Sequence, residues 1–253
     1  MKAMVLAAGA GTRLDPLTLQ LPKPLVPVVN IPVIDHTLNL LKRHGFDNVW
    51  ANLHHLPDLM ANHFEKNNLP VKVNYLIEDE LSGDAGGVRA CRKNLDDSTL
   101  LVIMGDLLTN ADLSYVVEQH KKNNSLATIA LKAVEDVSQF GVAVIDKNGR
   151  IKEFQEKPAP KEAKSNLAST GIYILEPAVF DHMPITGNYG FGKQLFPDLV
   201  NKGLPVLGVE INSYWSDVGT FEQYRRANFD ALDKKIELAL PGTNKSLIML
   251  RFG

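Results

Sequence analysis

Short apolar runs alternate with amphipathic segments along the first half of the chain. The pattern predicts strands at residues 3–7, 49–53, 71–77 and 100–104, and helices between them at 33–44, 57–66 and 86–94. Gly45 follows the first helix at the position where glycine commonly ends one. A further helix and strand are predicted at 113–122 and 127–131. Strands that alternate with helices in this way are typical of a mostly parallel sheet with helices on both faces.

After residue 140 the pattern changes to paired strands. Runs 142–145 and 151–155 flank Asn148-Gly149, and this dipeptide between two β-prone runs is a strong hairpin signal. Strands are also predicted at 172–175 and 204–209, helices at 193–202 and 221–232, and an exposed loop at 157–164. We expect one domain over residues 1–232, followed by a tail over 233–253.

Composition narrows the class of protein. A chain of 253 residues that is 45% hydrophobic can bury a large core. The 27 Lys and Arg nearly balance the 29 Asp and Glu, so we expect neither a nucleic-acid nor a membrane partner. No apolar run approaches the roughly 18 residues of a membrane span. Cys91 is the only cysteine, which excludes an internal disulfide and favours a cytoplasmic location.

A glycine-rich loop follows the first predicted strand. In Ala7-Ala8-Gly9-Ala10-Gly11-Thr12-Arg13, small residues would let backbone N–H groups approach a phosphate closely. Leu14 stands where a dinucleotide-binding fingerprint needs its third glycine. These residues alone allow either an anion site or a simple tight turn.

Pro22-Lys23-Pro24 adds a second cation near that loop. Prolines on both sides predict an extended backbone that keeps Lys23 out of a helix and presents its ammonium at a fixed place. With Arg13 it would suit a polyphosphate. The alternative is a pair of solvated surface cations.

The sequence from Leu6 to Val28 resembles the signature of the sugar-1-phosphate nucleotidylyltransferases. This signature reads Leu-Ala-Ala-Gly-x-Gly-Thr-Arg-Leu-x-Pro-Leu-Thr, then Pro-Lys-Pro-Leu-x-Pro-Val. The resemblance extends over residues 1–232. It implies a three-layer αβα, Rossmann-like mixed sheet, mostly parallel, with β-hairpin insertions in the second half. It also implies transfer of a nucleotidyl group from a nucleoside triphosphate to a sugar 1-phosphate, with Arg13 and Lys23 as catalytic cations.

The nucleotide-binding residues that the resemblance implies are Leu6, Ala8, Gly9, Gly11, Thr12, Gly83, Asp84, Ala85 and Gly86. Asp84 departs from the family pattern, which usually has Thr or Ser there. Its other interpretation is a helix N-cap.

Asp106 and Asp217 are the implied metal ligands. Asp106 follows the predicted strand 100–104, at the edge where ligands of α/β sheets gather. Asp217 lies in Trp215-Ser216-Asp217-Val218-Gly219-Thr220, which is similar to a second family segment. Two carboxylates suit Mg²⁺, because this ion takes its remaining ligands from water and substrate phosphates.

On the sugar-phosphate side, the resemblance implies contacts from Gly141, Glu156, Lys157, Ser169 and Thr170. Ser169 replaces the usual Asn. Among family members, mannose-1-phosphate guanylyltransferases have the most similar sequences at Ala85-Gly86-Gly87 and Gln155-Glu156-Lys157-Pro158. This similarity implies GTP and mannose 1-phosphate as the substrates. The alternatives are UTP with glucose 1-phosphate or an amino-sugar 1-phosphate, a non-sugar acceptor such as phosphocholine, and a non-catalytic nucleotide-sugar sensor.

Three further expectations concern the rest of the chain. His54, His55 and His63 lack a zinc-site spacing, and Cys91 is expected in the core. The tail 233–253 contains no hexapeptide repeat of the β-helix that continues many relatives. A homodimer through the α/β domain is a further expectation.

Overall fold

A computed structural model describes residues 1–238. The strands are β1 Lys2–Leu6, β2 Pro27–Val28, β3 Ile31–Pro32, β4 Asn48–Leu53, β5 Lys72–Ile77, β6 Leu100–Met104, β7 Leu107–Thr109, β8 Ala127–Ala133, β9 Gly141–Ile145, β10 Ile151–Glu156, β11 Leu167–Leu175, β12 Val206–Glu210 and β13 Trp215–Asp217. The α-helices are α1 Val33–Arg43, α2 Pro57–Lys66, α3 Asp84–Ala90, α4 Arg92–Leu95, α5 Leu113–Lys122, α6 Phe196–Asn201 and α7 Phe221–Leu232.

Within residues 1–238 the main sheet has nine strands, in the order β10-β9-β11-β6-β1-β4-β5, with β8 on β11 and β12 on β8. Strands β5, β4, β1 and β6 run parallel. Strand β11 runs antiparallel to β6 and joins this half to the β9–β10 hairpin. The predicted α/β class and the mixed sheet are therefore confirmed.

Both faces of the sheet are buried, as the alternation along β1 illustrates. Ala3 and Val5 contribute to one hydrophobic cluster, which contains buried residues of α1, α2 and α5. Met4 and Leu6 contribute to the opposite cluster, which contains residues of α3 and α6. Because successive strand side chains point to opposite faces, β1 needs apolar residues at nearly every position. The sheet and the helices on its two faces make up the three layers.

The Asn-Gly hairpin is confirmed. Gly149 has a φ of 77°, a conformation in which glycine has no steric penalty. The side chain of Asp146 closes the turn by accepting hydrogen bonds from the backbone N–H groups of Asn148 (2.8 Å) and Arg150 (3.0 Å). Strands β9 and β10 then pair antiparallel on either side.

Three predicted elements differ from the structure. The helix predicted over 86–94 is two helices, because Cys91 leaves helical geometry with φ −86° and ψ 5°. The helix predicted over 193–202 begins within a π-turn, Phe191–Leu195, and continues as α6 to Asn201. The strand predicted at 172–175 begins earlier, at Leu167, because its first residues pair with β8.

Two small sheets were not predicted, β2 with β3 and β7 with β13. The prediction for the end of the tail, residues 239–253, lies outside the described residues. Within residues 1–238, no helix combines the length and apolar character that crossing a membrane requires.

Candidate active site

Two cavities adjoin at the carboxyl ends of β1 and β6. The first has a volume of about 330 Å³ and the second about 220 Å³. Asp84, Met104 and Asp106 line both cavities and so form a common wall. Ligands of open α/β sheets bind at this edge.

The first cavity lies against the glycine loop. Its other lining residues are Leu6, Ala7, Ala8, Gly9, Lys23, Pro24, Asn52, Leu81, Gly83 and Asn188. Asn52 holds the loop in place, because its Oδ1 accepts a hydrogen bond from the backbone N–H of Ala7 (3.1 Å) while its Nδ2 donates to Glu78 (2.7 Å). Sequence reasoning missed Asn52, although its place near the end of β4, paired with Leu6, was a usable signal.

The glycine loop packs directly on Lys23. Gly11 has a φ of 68°, and a Cβ added there would lie 2.7 Å from the Cβ of Lys23. Lys23 is buried and begins a 3-10 turn, Lys23–Leu25, so the extended backbone predicted at this residue is wrong. Pro24 is compatible with the start of such a turn, because no N–H is required of it there. The Lys23 ammonium forms an ion pair with the Oδ2 of Asp106.

The β7–β13 pair brings the two predicted metal carboxylates together. Asp106 immediately precedes β7, and Asp217 lies opposite Leu107 in the ladder. The backbone N–H of Val218 donates to the carbonyl oxygen of Asp106 (3.0 Å). Both carboxylates line the second cavity. Sequence reasoning named both residues, but it did not foresee the small sheet that joins them.

The environment of Asp217 disfavours the ionised form of its carboxyl group. Burial raises the pKa of its carboxyl to about 6, and the charge of Asp106 adds to this effect, while Lys23 and Arg13 oppose it. The Nε2 of Gln223 donates to the Oδ1 of Asp217 (2.6 Å). The Oε1 of Gln223 is buried with no hydrogen-bond partner among the described residues. A cation here would relieve the repulsion between the two carboxylates.

This donor set fits Mg²⁺. Among residues 1–238, no group of three or more His, Cys, Asp or Glu side chains is placed to hold a metal ion. A metal at Asp106 and Asp217 would therefore need water or ligand oxygens to complete its shell. Mg²⁺ is the ion that typically binds through one or two carboxylates, several waters and substrate phosphates.

Arg13 and Thr12 are exposed, and neither lines either cavity. The guanidinium of Arg13 lies near Asp217 instead: a Cβ added to Gly219 would be 3.1 Å from both the Arg13 Nη2 and an Asp217 oxygen. The rim of the site thus carries a cation that is close to Asp217.

All five predicted sugar-phosphate residues, Gly141, Glu156, Lys157, Ser169 and Thr170, line the second cavity. Lys157 has a φ of 48°, a conformation that costs a non-glycine residue free energy and is concentrated at functional sites. Its backbone N–H donates to the carbonyl of Phe140 (3.0 Å). At Gly141, a Cβ would lie 2.5 Å from the ring of Phe154, so only glycine leaves room for that ring.

The hydroxyl groups of Thr170 and Ser169 have partners within the protein. Thr170 donates to the carbonyl of Ala130 (2.8 Å), and its own carbonyl accepts from the indole N–H of Trp215 (2.8 Å). The Ser169 hydroxyl lies 3.3 Å from that of Tyr173. Thr170 therefore joins β8, β11 and β13 around the cavity, rather than presenting its hydroxyl to it.

Asp84 is the first residue of α3, and Gly83 is the N-cap. The N-cap interpretation of Asp84 is therefore wrong. Its Oδ1 accepts from the backbone N–H groups of Ala85 (2.8 Å) and Phe191 (2.7 Å). Ala85 is fully buried, and the N–H of Gly86 donates to the carbonyl of Tyr189 (2.9 Å), so these two residues shape the helix start without lining either cavity.

The histidines and the cysteine have structural surroundings. His54, His55 and His63 contact three different partners: the carbonyls of Glu78 and Thr18, and the carboxylate of Asp35. Cys91 is buried, and burial raises the pKa of its thiol to about 12. Its assignment to the core is confirmed, and the histidines share no common site.

The sheet order and the paired cavities define a Rossmann-like α/β protein with a two-part ligand site. The chain belongs to the nucleotidyl transferase family, whose model matches residues 2–234.

Curated relatives agree with this family. A Synechocystis UTP–glucose-1-phosphate uridylyltransferase is 39% identical over 96% of this chain and 66% of its own length. A Mycobacterium tuberculosis mannose-1-phosphate guanylyltransferase is 31% identical over 90% of this chain and 64% of its own length. The chain thus spans just under two thirds of these relatives.

A solved structure from Bacillus anthracis, named as a glucose-1-phosphate thymidylyltransferase, has a TM-score of 0.79 at 30% identity. The match covers 94% of this chain and 96% of that one.

Proposed function

We propose that this protein transfers a nucleoside monophosphate from a nucleoside triphosphate to a sugar 1-phosphate, releasing pyrophosphate. One observation carries the proposal: the cavity of the glycine loop and the cavity of Lys157 share a wall that contains Asp106. Two phosphorylated ligands bound in these cavities would meet at a single carboxylate pair. Holding two reactants in this way is a large part of catalysing a transfer between them.

The reaction needs no general base. A sugar 1-phosphate has a second pKa of about 6, so most of it already carries a free oxyanion at neutral pH. Its oxygen attacks the α-phosphorus, a new P–O bond forms, and the bond to the β-phosphate oxygen breaks as pyrophosphate leaves. The protein then has to position the groups and neutralise charge.

Each cation has a task in this scheme. Lys23, in the wall of the first cavity, and Arg13, at the rim, neutralise the phosphates that become pyrophosphate. Lys157 orients the sugar phosphate in the second cavity. Asp106 and Asp217 would hold Mg²⁺, which when bound supplies positive charge to phosphate oxygens. Of these three cations, Lys23 forms an ion pair with Asp106.

Two substrate pairs have support. The relative at 39% identity favours UTP and glucose 1-phosphate, which we place first. GTP and mannose 1-phosphate form the second pair, supported by the sequence around Ala85-Gly86-Gly87 and by the Mycobacterium tuberculosis relative. Homodimer formation and a cytoplasmic location stay predictions.

A panel of reactions tests the proposal and separates it from a nucleotide-sugar sensor. The purified chain is incubated with Mg²⁺, each of UTP, GTP, dTTP and ATP, and either glucose 1-phosphate, mannose 1-phosphate or phosphocholine. We expect pyrophosphate release that requires both substrates and is fastest with UTP and glucose 1-phosphate. Binding of a nucleotide sugar without pyrophosphate release from any pair would favour the sensor.

A further inference from the structure

Two carboxylates of the second cavity are placed by one short segment, Gly190-Phe191-Gly192. The backbone N–H of Phe191 donates to the Oδ1 of Asp84 (2.7 Å). Two atoms of Glu156 occupy the space that a side chain at residue 192 would fill: a Cβ there would be 2.1 Å from the Glu156 Oε2. The segment begins the π-turn before α6, and π-turns occur often at functional sites.

The hydrogen bonds within the protein leave these two carboxylates able to contact a ligand. The Oδ1 of Asp84 accepts hydrogen bonds from the backbone N–H groups of Ala85 and Phe191, and the N–H of Asp84 itself is a further partner of the carboxylate. Glu156 accepts no side-chain hydrogen bond within residues 1–238, and both residues line the second cavity. Carboxylates accept hydrogen bonds and donate none. A ligand that contacts them must therefore bring donors such as hydroxyl groups.

The surroundings make a further negative charge costly. Burial raises the pKa of both carboxyl groups, and the charge of Asp84 raises that of Glu156 further. Lys157 opposes the rise in both pKa values and Lys193 opposes that of Glu156, but in the proposed reaction Lys157 is occupied by the sugar phosphate. Like charges brought together across a binding interface are strongly disfavoured. The sugar ring itself thus meets two anions.

We propose that Asp84 is a specificity-determining residue, which together with Glu156 selects sugar 1-phosphates with an uncharged, hydroxyl-bearing ring and rejects those that carry a ring carboxylate. The inference rests on the proposed function. It goes beyond the family resemblance, because that resemblance assigns sugar contact to Glu156 and leaves Asp84, a departure from the usual Thr or Ser, without such a role.

The test compares two acceptors that differ only at C6, glucose 1-phosphate and glucuronic acid 1-phosphate, with the same nucleoside triphosphate and Mg²⁺. We expect the unmodified chain to prefer glucose 1-phosphate by roughly 100-fold in kcat/KM. Asp84→Asn keeps the Oδ1 that Phe191 contacts and removes the charge, so it should lower this preference at least about 10-fold. Glu156→Gln is the second variant and should act in the same direction.

Glu153→Gln is the matched control, because Glu153 is on the same strand but pairs with Lys164 outside the cavity. It should leave the preference unchanged. Equal use of both acceptors by the unmodified chain would overturn the inference while leaving the proposed function intact. So would an unchanged preference in folded Asp84→Asn and Glu156→Gln proteins. Absence of turnover and of binding with both acceptors would instead overturn the proposed function.

Discussion

Lys23 forms an ion pair with Asp106 across 83 positions of sequence, and this contact lies where the two cavities of the site meet. A lysine that is buried against a carboxylate is held in place by the protein itself. The same ammonium lines the cavity assigned to the triphosphate. The contact therefore connects the predicted metal ligand to the predicted phosphate-binding cation.

Replacing Lys23 by Met should remove one pre-positioned cation from the site. We expect kcat to fall by about 10²–10³-fold, the usual cost of losing one such electrostatic donor. The measurement is pyrophosphate release at saturating substrates. Lys42→Met, which breaks the exposed pair with Asp47, is the control and should keep its rate. A Lys23→Met protein with a rate within about threefold of the unmodified chain would contradict the assignment.

Gly11→Ala should destabilise the fold through its contact with Lys23. An alanine there needs a left-handed backbone, which costs about 1–2 kcal/mol, and its Cβ would lie 2.7 Å from the Lys23 side chain. With about 1–3 kcal/mol for overpacking, the total is about 2–5 kcal/mol. Gly187→Ala also has a positive φ but no atom within 4 Å, so it isolates the backbone cost. Urea unfolding measures the loss of unfolding free energy in both variants. Equal losses in Gly11→Ala and Gly187→Ala would show that the contact with Lys23 contributes nothing.

Asp217→Asn should increase stability at neutral pH while abolishing turnover. The pKa of Asp217 is raised from 3.8 to about 6 in the folded protein. The folded state therefore holds a proton that the unfolded state loses between these values, and ionisation above pH 6 costs folding free energy. In metal-free buffer we expect Asn to raise the free energy of unfolding by about 1–3 kcal/mol at pH 8.

The gain should shrink as the pH falls through about 6 towards 4, because Asp217 is then protonated in the unmodified protein as well. Chemical unfolding of both proteins at pH 8 and pH 4 measures this difference. A gain that is equal at the two pH values would show that the ionisation of Asp217 is not its source.

Gly192→Ala should affect the sugar phosphate and not the nucleotide. Its Cβ would be 2.1 Å from the Glu156 Oε2, so the carboxylate must move. We expect the KM for the sugar 1-phosphate to rise by about 10-fold, and the KM for the nucleoside triphosphate to change less than about twofold. Gly203→Ala is the control for backbone destabilisation away from the site, because Gly203 has a φ of 71° but nothing lies within 4 Å of the added Cβ. Equal rises in both KM values would contradict a selective effect on the sugar phosphate, and a fall in apparent kcat alone would indicate loss of folded protein.

Sequence patterns predicted the parallel half of the sheet well, because its strands are apolar on both faces and its helices are amphipathic. They also placed Asp106 correctly at a strand end, which is a local property. The contact of Asp106 with Lys23 and the nearness of Asp217 depend on the β7–β13 ladder. No local pattern specifies that pairing.

The Gly190-Phe191-Gly192 segment was missed for a similar reason. Its role depends on Asp84 and Glu156, which come from α3 and β10 and reach it only in the folded chain. Asn52 acts on the glycine loop through the neighbouring strand β4. Two glycines around an aromatic residue carry no chemical signal by themselves, and an asparagine near a strand end carries only a weak one.

The most direct test of the proposed function follows the phosphorus atoms of both substrates. Phosphorus-31 NMR of the purified chain with Mg²⁺, UTP and glucose 1-phosphate should show equal amounts of pyrophosphate and of a diphosphate that joins the nucleoside to the sugar. Both substrate signals should decrease together. Unchanged spectra with UTP and with GTP, each tested with glucose and mannose 1-phosphates, from a folded protein that binds nucleotide would contradict the account.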